Sequence, residues 1–185
     1  MKAKYCGIDY SLTSPAICVW DNNFTLNPLN CKIYYLTSVK KSVLVNEFFV
    51  GKIYPPKWSF EEERHDIISN WAFNIVFDVN PKKVFIEGYS YGSVGKVFNL
   101  AENMGLLKHK LWKNGFRFSE IPPTTIKKHA TGKGNATKDI MNSQYITEGG
   151  PDLRTLFKMT PSQWNPTSDI IDSYYVLKTG VEKDL

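Results

Sequence analysis

Apolar and polar positions along the chain fall into two kinds of pattern, short β-like runs and longer helical periods. Residues 5–10 and 15–20 are short, apolar and rich in strand formers, and residues 11–14 between them read as a hairpin turn. Residues 32–37 make a third strand, while 39–57 carries no regular pattern and Pro55 and Pro56 stop any element there. Ser59 followed by Glu62 is a capping-box pattern. After it, Ile67, Ile68, Trp71, Ile75 and Val76 keep a helical period, so a helix is expected to about Val79. Pro81 ends it, and 84–87 is a core strand. Residues 93–113 read as a helix with Val97, Leu100, Met104, Leu107 and Leu111 on one face. A strand at 116–121 and two short helices at 124–129 and 137–147 follow, joined by the glycines at 132 and 134. Residues 148–168 hold Gly149, Gly150, Pro151, Pro161 and Pro166 and read as a loop; 169–179 is the last helix. Strands that alternate with helices in the second half predict an α/β sheet covered by helices.

A length of 185 residues suits one domain, 1–185. With 42% hydrophobic and 14% aromatic residues the chain can pack a core. Charged residues interrupt every candidate membrane span, and the first residues run straight into a strand, so neither a membrane anchor nor a signal peptide is expected. Cys6, Cys18 and Cys31 lack metal spacing and imply buried thiols in a reducing, cytoplasmic setting.

Net charge is +5, but its distribution says more. Between 108 and 138 lie Lys108, Lys110, Lys113, Arg117, Lys127, Lys128, Lys133 and Lys138, opposed only by Glu120, so this stretch is +7 in an otherwise nearly neutral chain. A focused positive stretch suits phosphate binding, and equally describes a solvated lysine face.

Four acids stand out. Asp9, in Gly7-Ile8-Asp9-Tyr10-Ser11, sits at the end of an apolar strand, where a turn-forming Asp is the structural alternative. Glu87 ends the apolar run Val84-Phe85-Ile86, and a carboxylate there is costly without a partner. Asp169 and Asp172 are three apart, hence on one face of the last helix. The helix dipole explains Asp169 well and Asp172 less well, since Ile170, Ile171, Tyr174 and Leu177 make this a core helix. Together the four can converge as hard oxygen ligands, suited to two Mg²⁺ ions, or Mn²⁺, rather than zinc. Such a pair of ions hydrolyses a phosphodiester. The histidines, His65, His109 and His129, are scattered and make no zinc pattern. The string from Gly132 to Lys138 lacks the P-loop ending, and Gly88, Gly92 and Gly95 lack the dinucleotide spacing.

An Asp after the first strand, a Glu on a central strand and Asp-x-x-Asp on the last helix resembles the catalytic layout of the RuvC-type Holliday junction resolvases. Ile126-Lys127-Lys128-His129-Ala130-Thr131-Gly132-Lys133-Gly134-Asn135-Ala136-Thr137-Lys138 is similar to the segment before the final helix in that family. Pro122-Pro123-Thr124 resembles phage-encoded members most, which implies a host cytoplasm. The resemblance runs from Gly7 to Tyr175. It implies a ribonuclease H-like fold and a homodimer that resolves four-way DNA junctions by symmetric nicks, in DNA recombination and repair. By the same resemblance Asp9, Glu87, Asp169 and Asp172 bind two Mg²⁺ ions, and Lys127 and Lys138 stand near the scissile phosphate. Tyr89 and Tyr91 lie where relatives carry an aromatic wedge, and core packing is the alternative for both. Lys96, Lys128 and Lys133 join them as DNA-binding candidates. The helix at 93–113 is the implied dimer interface, although the same face suits packing on its own sheet.

Two segments, 39–57 and 148–168, are longer than the family pattern. Loops carry selectivity, so a related nuclease that cuts other branched DNA, flaps or RNA–DNA hybrids stays open. A non-catalytic nucleic-acid-binding protein is a further reading, opposed by four intact acids and both lysines. Gly7 to Ser11 distantly resembles the phosphate loop of actin-like ATPases, which need two such domains, more than 185 residues hold.

Overall fold

In the computed structural model, which describes residues 3–55, 57–89 and 97–185, one six-stranded mixed sheet carries helices on both faces. The strands are β1 (Lys4–Asp9), β2 (Ala16–Asp21), β3 (Cys31–Thr37), β4 (Phe49–Ile53), β5 (Lys83–Glu87) and β6 (Phe118–Ile121). Their spatial order is β4-β3-β2-β1-β5-β6. β1, β2 and β3 form an antiparallel meander, and β5 and β6 run parallel to β1. The turn at 11–14 connects β1 to β2 as the sequence predicts.

The helices are α1 (Glu61–Val79), α2 (Val97–Lys113), α3 (Pro123–Thr131), α4 (Lys138–Thr147), α5 (Leu153–Leu156) and α6 (Thr167–Glu182). Alternate strand residues serve opposite faces, as period two requires. Cys6, Ile8, Ile17, Val19, Val84 and Ile86 pack with Ile68, Ala72 and Val76 of α1 and Met104, Leu107 and Leu111 of α2. Ala16, Cys18, Trp20 and Phe85 pack on the other face with Ile170, Ile171, Tyr174 and Leu177 of α6. The three cysteines are buried and free.

Several expectations change. The segment 39–57 contains β4, parallel to β3, which lacks the alternation that marks a half-buried strand because it lies at the sheet edge. Leu44 and Val45 fold back on it, with the Gly51 amide donating to the Leu44 carbonyl. The segment 148–168 contains α5 and the first residues of α6. The capping box does not form. Phe60 is the N-cap of α1 and no side chain caps it; Glu61, Glu62 and Glu63 in the first turn complement the dipole instead. The Met104, Leu107 and Leu111 face of α2 is buried against the molecule's own sheet and α1, so it is not free to be a dimer interface. The helix start expected at Ser93, with Tyr91, Lys96, Gly92 and Gly95, lies outside the described residues. Among the described residues no helix is long and apolar enough to cross a membrane.

Candidate active site

Parallel pairing of β1 with β5 matches Ile8 to Ile86, so the next residue on each strand, Asp9 and Glu87, emerge side by side at the sheet's C-terminal edge. Both point to the face covered by α6, because Gly7 and Phe85, two residues earlier, do so. Gly7 is what lets α6 lie there. A Cβ at this position would stand 2.3 Å from the Leu177 amide and 2.5 Å from the Ser173 carbonyl. Two strand residues rise about 6.6 Å and one helical turn about 5.4 Å. Asp9 is two residues beyond Gly7; on α6, which runs antiparallel, Asp172 directly precedes Ser173 and Asp169 lies about one turn before it, so these acids come to the same end of the sheet as Asp9.

The electrostatics follow from that crowding. Asp9 and Asp169 are buried, and Asp172 and Glu87 are partly so. Desolvation pushes the Asp9 carboxyl well above the usual range, and the charges of Glu87, Asp169 and Asp172 push it further. Asp172 rises strongly for the same reasons, against the pull of Lys127 and Lys138. Glu87 is raised by burial to about 7, although Lys127 and a hydrogen bond with Asp9 oppose the rise. Asp9 and Glu87 thus share a hydrogen bond that needs one proton between them. Among the described residues no three of these side chains stand as a pre-formed ligand cluster. Carboxylates this close repel when ionised, and the shared proton relieves part of that.

Asp169 differs from the other three. Burial raises it too, but serine hydroxyls and Lys138 pull it back. Ser11 Oγ donates to its Oδ1 at 2.8 Å and Ser168 Oγ to its Oδ2 at 3.1 Å. Ser14, buried beside the same carboxylate, has a hydroxyl that makes no well-aligned hydrogen bond. Lys138 Nζ donates to Ser168 Oγ at 3.3 Å. Thr137 caps α4 through the Ile140 amide and so sets where Lys138 begins that helix. Lys127 lies one turn before the Gly132 C-cap of α3 and faces Glu87 and Asp172.

The structure therefore brings together Asp9, Glu87, Asp169, Asp172, Lys127 and Lys138. Lys128 and Lys133 are exposed on α3 and the α3–α4 loop. Tyr89 packs partly against the α1–α2 core, and the Lys108 ammonium lies 5.7 Å from its ring centroid. Lys108 also pairs with Glu120 at 2.9 Å, and Lys110 donates to Ser69 and Asn70, so part of the basic stretch has internal partners. His129 bridges α3 to α6 through Thr179 and Glu182, a structural role. Sequence reasoning missed Ser11 and Ser168; their only signal is that each lies within two residues of an acid. A surface groove of about 570 Å³, lined by Phe77, Lys82, Phe116 and Arg117, opens at the N-terminal ends of β5 and β6, away from the acids.

The strand order, with helices on both faces and acids at the carboxyl edge of β1 and β5, is that of a ribonuclease H-like α/β fold. No protein-family model matches the sequence, and no curated protein matches it in sequence. In three dimensions the chain is similar to RuvC of Thermus thermophilus, at TM-score 0.59 and 15% identity over 98% of this chain and 96% of that one. It is similar to the same organism's RuvC in complex with a Holliday junction substrate, at TM-score 0.63 and 17% identity over 98% and 94%. It is also similar to Fowlpox virus resolvase in complex with its substrate Holliday junction DNA, at TM-score 0.51 and 14% identity over 100% and 99%. These likenesses establish the fold.

Proposed function

We propose that this protein is a metal-dependent, structure-selective endonuclease that resolves four-way DNA junctions. One observation carries the reading. Asp9, Glu87, Asp169 and Asp172, from three separate elements, meet in a largely buried site whose charge, among the described residues, Lys127 and Lys138 offset. Were all four ionised, two negative charges would exceed what the two ammonium groups offset; the raised carboxyls show that protons relieve this crowding, and a bound cation would take the protons' place. The fold around them is one that T. thermophilus RuvC and fowlpox resolvase share, and both of those were solved with a Holliday junction.

The donor set is all oxygen, which suits Mg²⁺ or Mn²⁺. Asp9, Glu87, Asp169 and Asp172 would hold the ions, which when bound supply an activated water and charge stabilisation at the leaving oxygen. The chain's own residues do the rest. Lys127 and Lys138 bring positive charge to the rim where a scissile phosphate sits, offsetting charge that develops on its oxygens. Lys128 and Lys133, exposed beside them, bind backbone phosphates without regard to sequence, which suits recognition of shape. Burial of the acids keeps bulk water from the carboxyl groups and strengthens each of these interactions.

Symmetric nicking needs two copies. The outward face of α2 is the surface we assign to that pairing. Phe98 and Trp112 are 77% and 71% exposed, and Gly105 lies midway, with none of the described residues within 4 Å of where a Cβ would be. Residues seven apart share a helix face. An antiparallel pairing of two such helices across a two-fold axis would set the Phe98 end of one against the Trp112 end of the other, with Gly105 at the crossing.

The deciding experiment is cleavage of a labelled four-way junction in Mg²⁺ beside linear duplex, flap and RNA–DNA hybrid, with Asp9→Asn and Asp172→Asn as controls. Paired nicks in the junction, absent from both variants while junction binding persists, are expected. Equal cutting of every branched substrate lowers the junction to one substrate of several, and nicking by either variant removes the site assignment.

A further inference from the structure

Asp169 is held by a scaffold that reaches well beyond its own helix. Its Oδ1 accepts from Ser11, in the β1–β2 turn, at 2.8 Å. Its Oδ2 accepts from Ser168 at 3.1 Å. The turn that carries Ser11 is itself fastened from three sides. Arg64 of α1 donates to the Leu12 carbonyl at 3.1 Å through Nε and 2.5 Å through Nη2. The Tyr54 hydroxyl donates to the Leu12 and Thr13 carbonyls. Asn165 Nδ2 donates to Thr13 Oγ1 at 3.0 Å. Within the turn, the Ser14 amide donates to Ser11 Oγ at 3.0 Å, which fixes the hydroxyl's own rotamer. On the opposite side Ser168 Oγ accepts from Lys138 Nζ at 3.3 Å and lies 3.2 Å from Asn165 Oδ1.

We propose that Ser11 and Ser168 are positioning residues that hold the two oxygens of Asp169 in ligating orientation, and that Ser168 also sets Lys138 against it. The proposal rests on the metal-site reading above. Each carboxylate oxygen has two acceptor positions, so one hydroxyl per oxygen leaves each able to take a cation as well. A single hydrogen bond lets a carboxylate swing about it; two from opposite sides fix its plane. That matters most for Asp169, because Asp9 and Glu87 have each other. The hydroxyls are neutral, so they orient the carboxylate without cancelling the charge a cation needs. A residue that orients a ligand from behind typically changes metal affinity by about 10–100-fold when removed.

The alternative is that these hydroxyls only satisfy a buried carboxylate and contribute to stability. The test separates the two by reading metal binding without DNA. Mn²⁺ is titrated into the native protein, Ser11→Ala, Ser168→Ala, Ser11→Thr and Asp9→Asn, followed by electron paramagnetic resonance of free Mn²⁺, with thermal melts of each. About a tenfold or greater weakening in Ser11→Ala and Ser168→Ala, with Ser11→Thr close to native, is expected. In junction cleavage both alanine variants should need more Mg²⁺ for half-maximal rate. Ser168→Ala should also stay slow at saturating Mg²⁺, since Lys138 is released. Native Mn²⁺ affinity in both alanine variants, with lowered melting temperatures, overturns the proposal while Asp9→Asn still reports the site. Loss of binding in no variant, Asp9→Asn included, overturns the metal-site reading and this one with it.

Discussion

Asp9 and Glu87 stand on adjacent parallel strands with their carboxyl groups hydrogen-bonded to each other. That contact requires a proton, and the sign of its pH dependence follows. A carboxyl raised in the folded state binds protons more tightly there than in the unfolded chain. The metal-free protein should therefore gain stability as pH falls through about 7, the Glu87 value, towards the ordinary carboxylate range, and lose it as pH rises again. Melts in EDTA between pH 8 and pH 5 check this, at about 2–4 °C for each kcal/mol in a chain this long. With Mg²⁺ the order should reverse, because the cation must displace those protons. A stability flat across this range in EDTA would contradict the crowding.

Gly7→Ala should be among the most damaging single substitutions away from the acids. Its new Cβ would lie 2.3 Å from the backbone amide of Leu177, which cannot move without lifting α6 off β1. Overpacking of this kind costs about 1–3 kcal/mol or more. Lifting α6 also carries Asp169 and Asp172 away from Asp9. Urea unfolding should show the loss, and cleavage by the still-folded fraction should drop further than stability alone explains.

Lys127 lies against both Glu87 and Asp172 and lowers the pKa of each. Lys127→Ala should slow cleavage about 10²-fold, the usual scale for one lost electrostatic donor. Glu87 should then titrate above about 7, so the acidic limb of the pH–rate profile moves to higher pH. Lys127→Arg keeps the charge and should hold the limb in place. A rate loss with an unmoved limb would mean that Lys127 serves only DNA binding.

Dimerisation through the outward face of α2 has a direct chemical test. The three native cysteines are buried, and among the described residues nothing lies within 4 Å of where a Gly105 Cβ would be. Gly105→Cys should fold normally and, under mild oxidation, form a covalent dimer on a non-reducing gel. Phe98→Glu should abolish the cross-link. A protein that stays monomeric by light scattering, with no cross-link, rules out this pairing.

Much of the site is readable in the sequence because a carboxylate in an apolar context is conspicuous. Glu87 ends a run of Val, Phe and Ile, and Asp172 sits among Ile171, Tyr174 and Leu177. Lys127 and Lys138 flank a glycine-bearing string whose order is distinctive. Ser11 and Ser168 are not readable in the same way. A serine two residues after one acid, or one before another, is common, and only the folded chain brings residues 158 apart within 2.8 Å. The central strands are legible from their apolar runs, while β4 escapes because an edge strand has weaker alternation to display. Periodicity gave α2 an apolar face correctly. It carries no information on whether a helix face meets its own sheet or another molecule, and here Met104, Leu107 and Leu111 meet the sheet.

The acids of this site come from positions 9, 87, 169 and 172, and the two ends of that set are joined by the Ser11–Asp169 contact. Contacts so far apart in sequence form late in folding, because the intervening loop must be closed first. During synthesis, the ribosome must therefore release residue 172 and the sheet must accept α6 before all four carboxylates share one place. A nascent or clipped chain that lacks the final helix does not hold all four acids, however well its six strands have paired. Any chemistry that needs all four carboxylates then reports the state of the entire sheet rather than of any one segment.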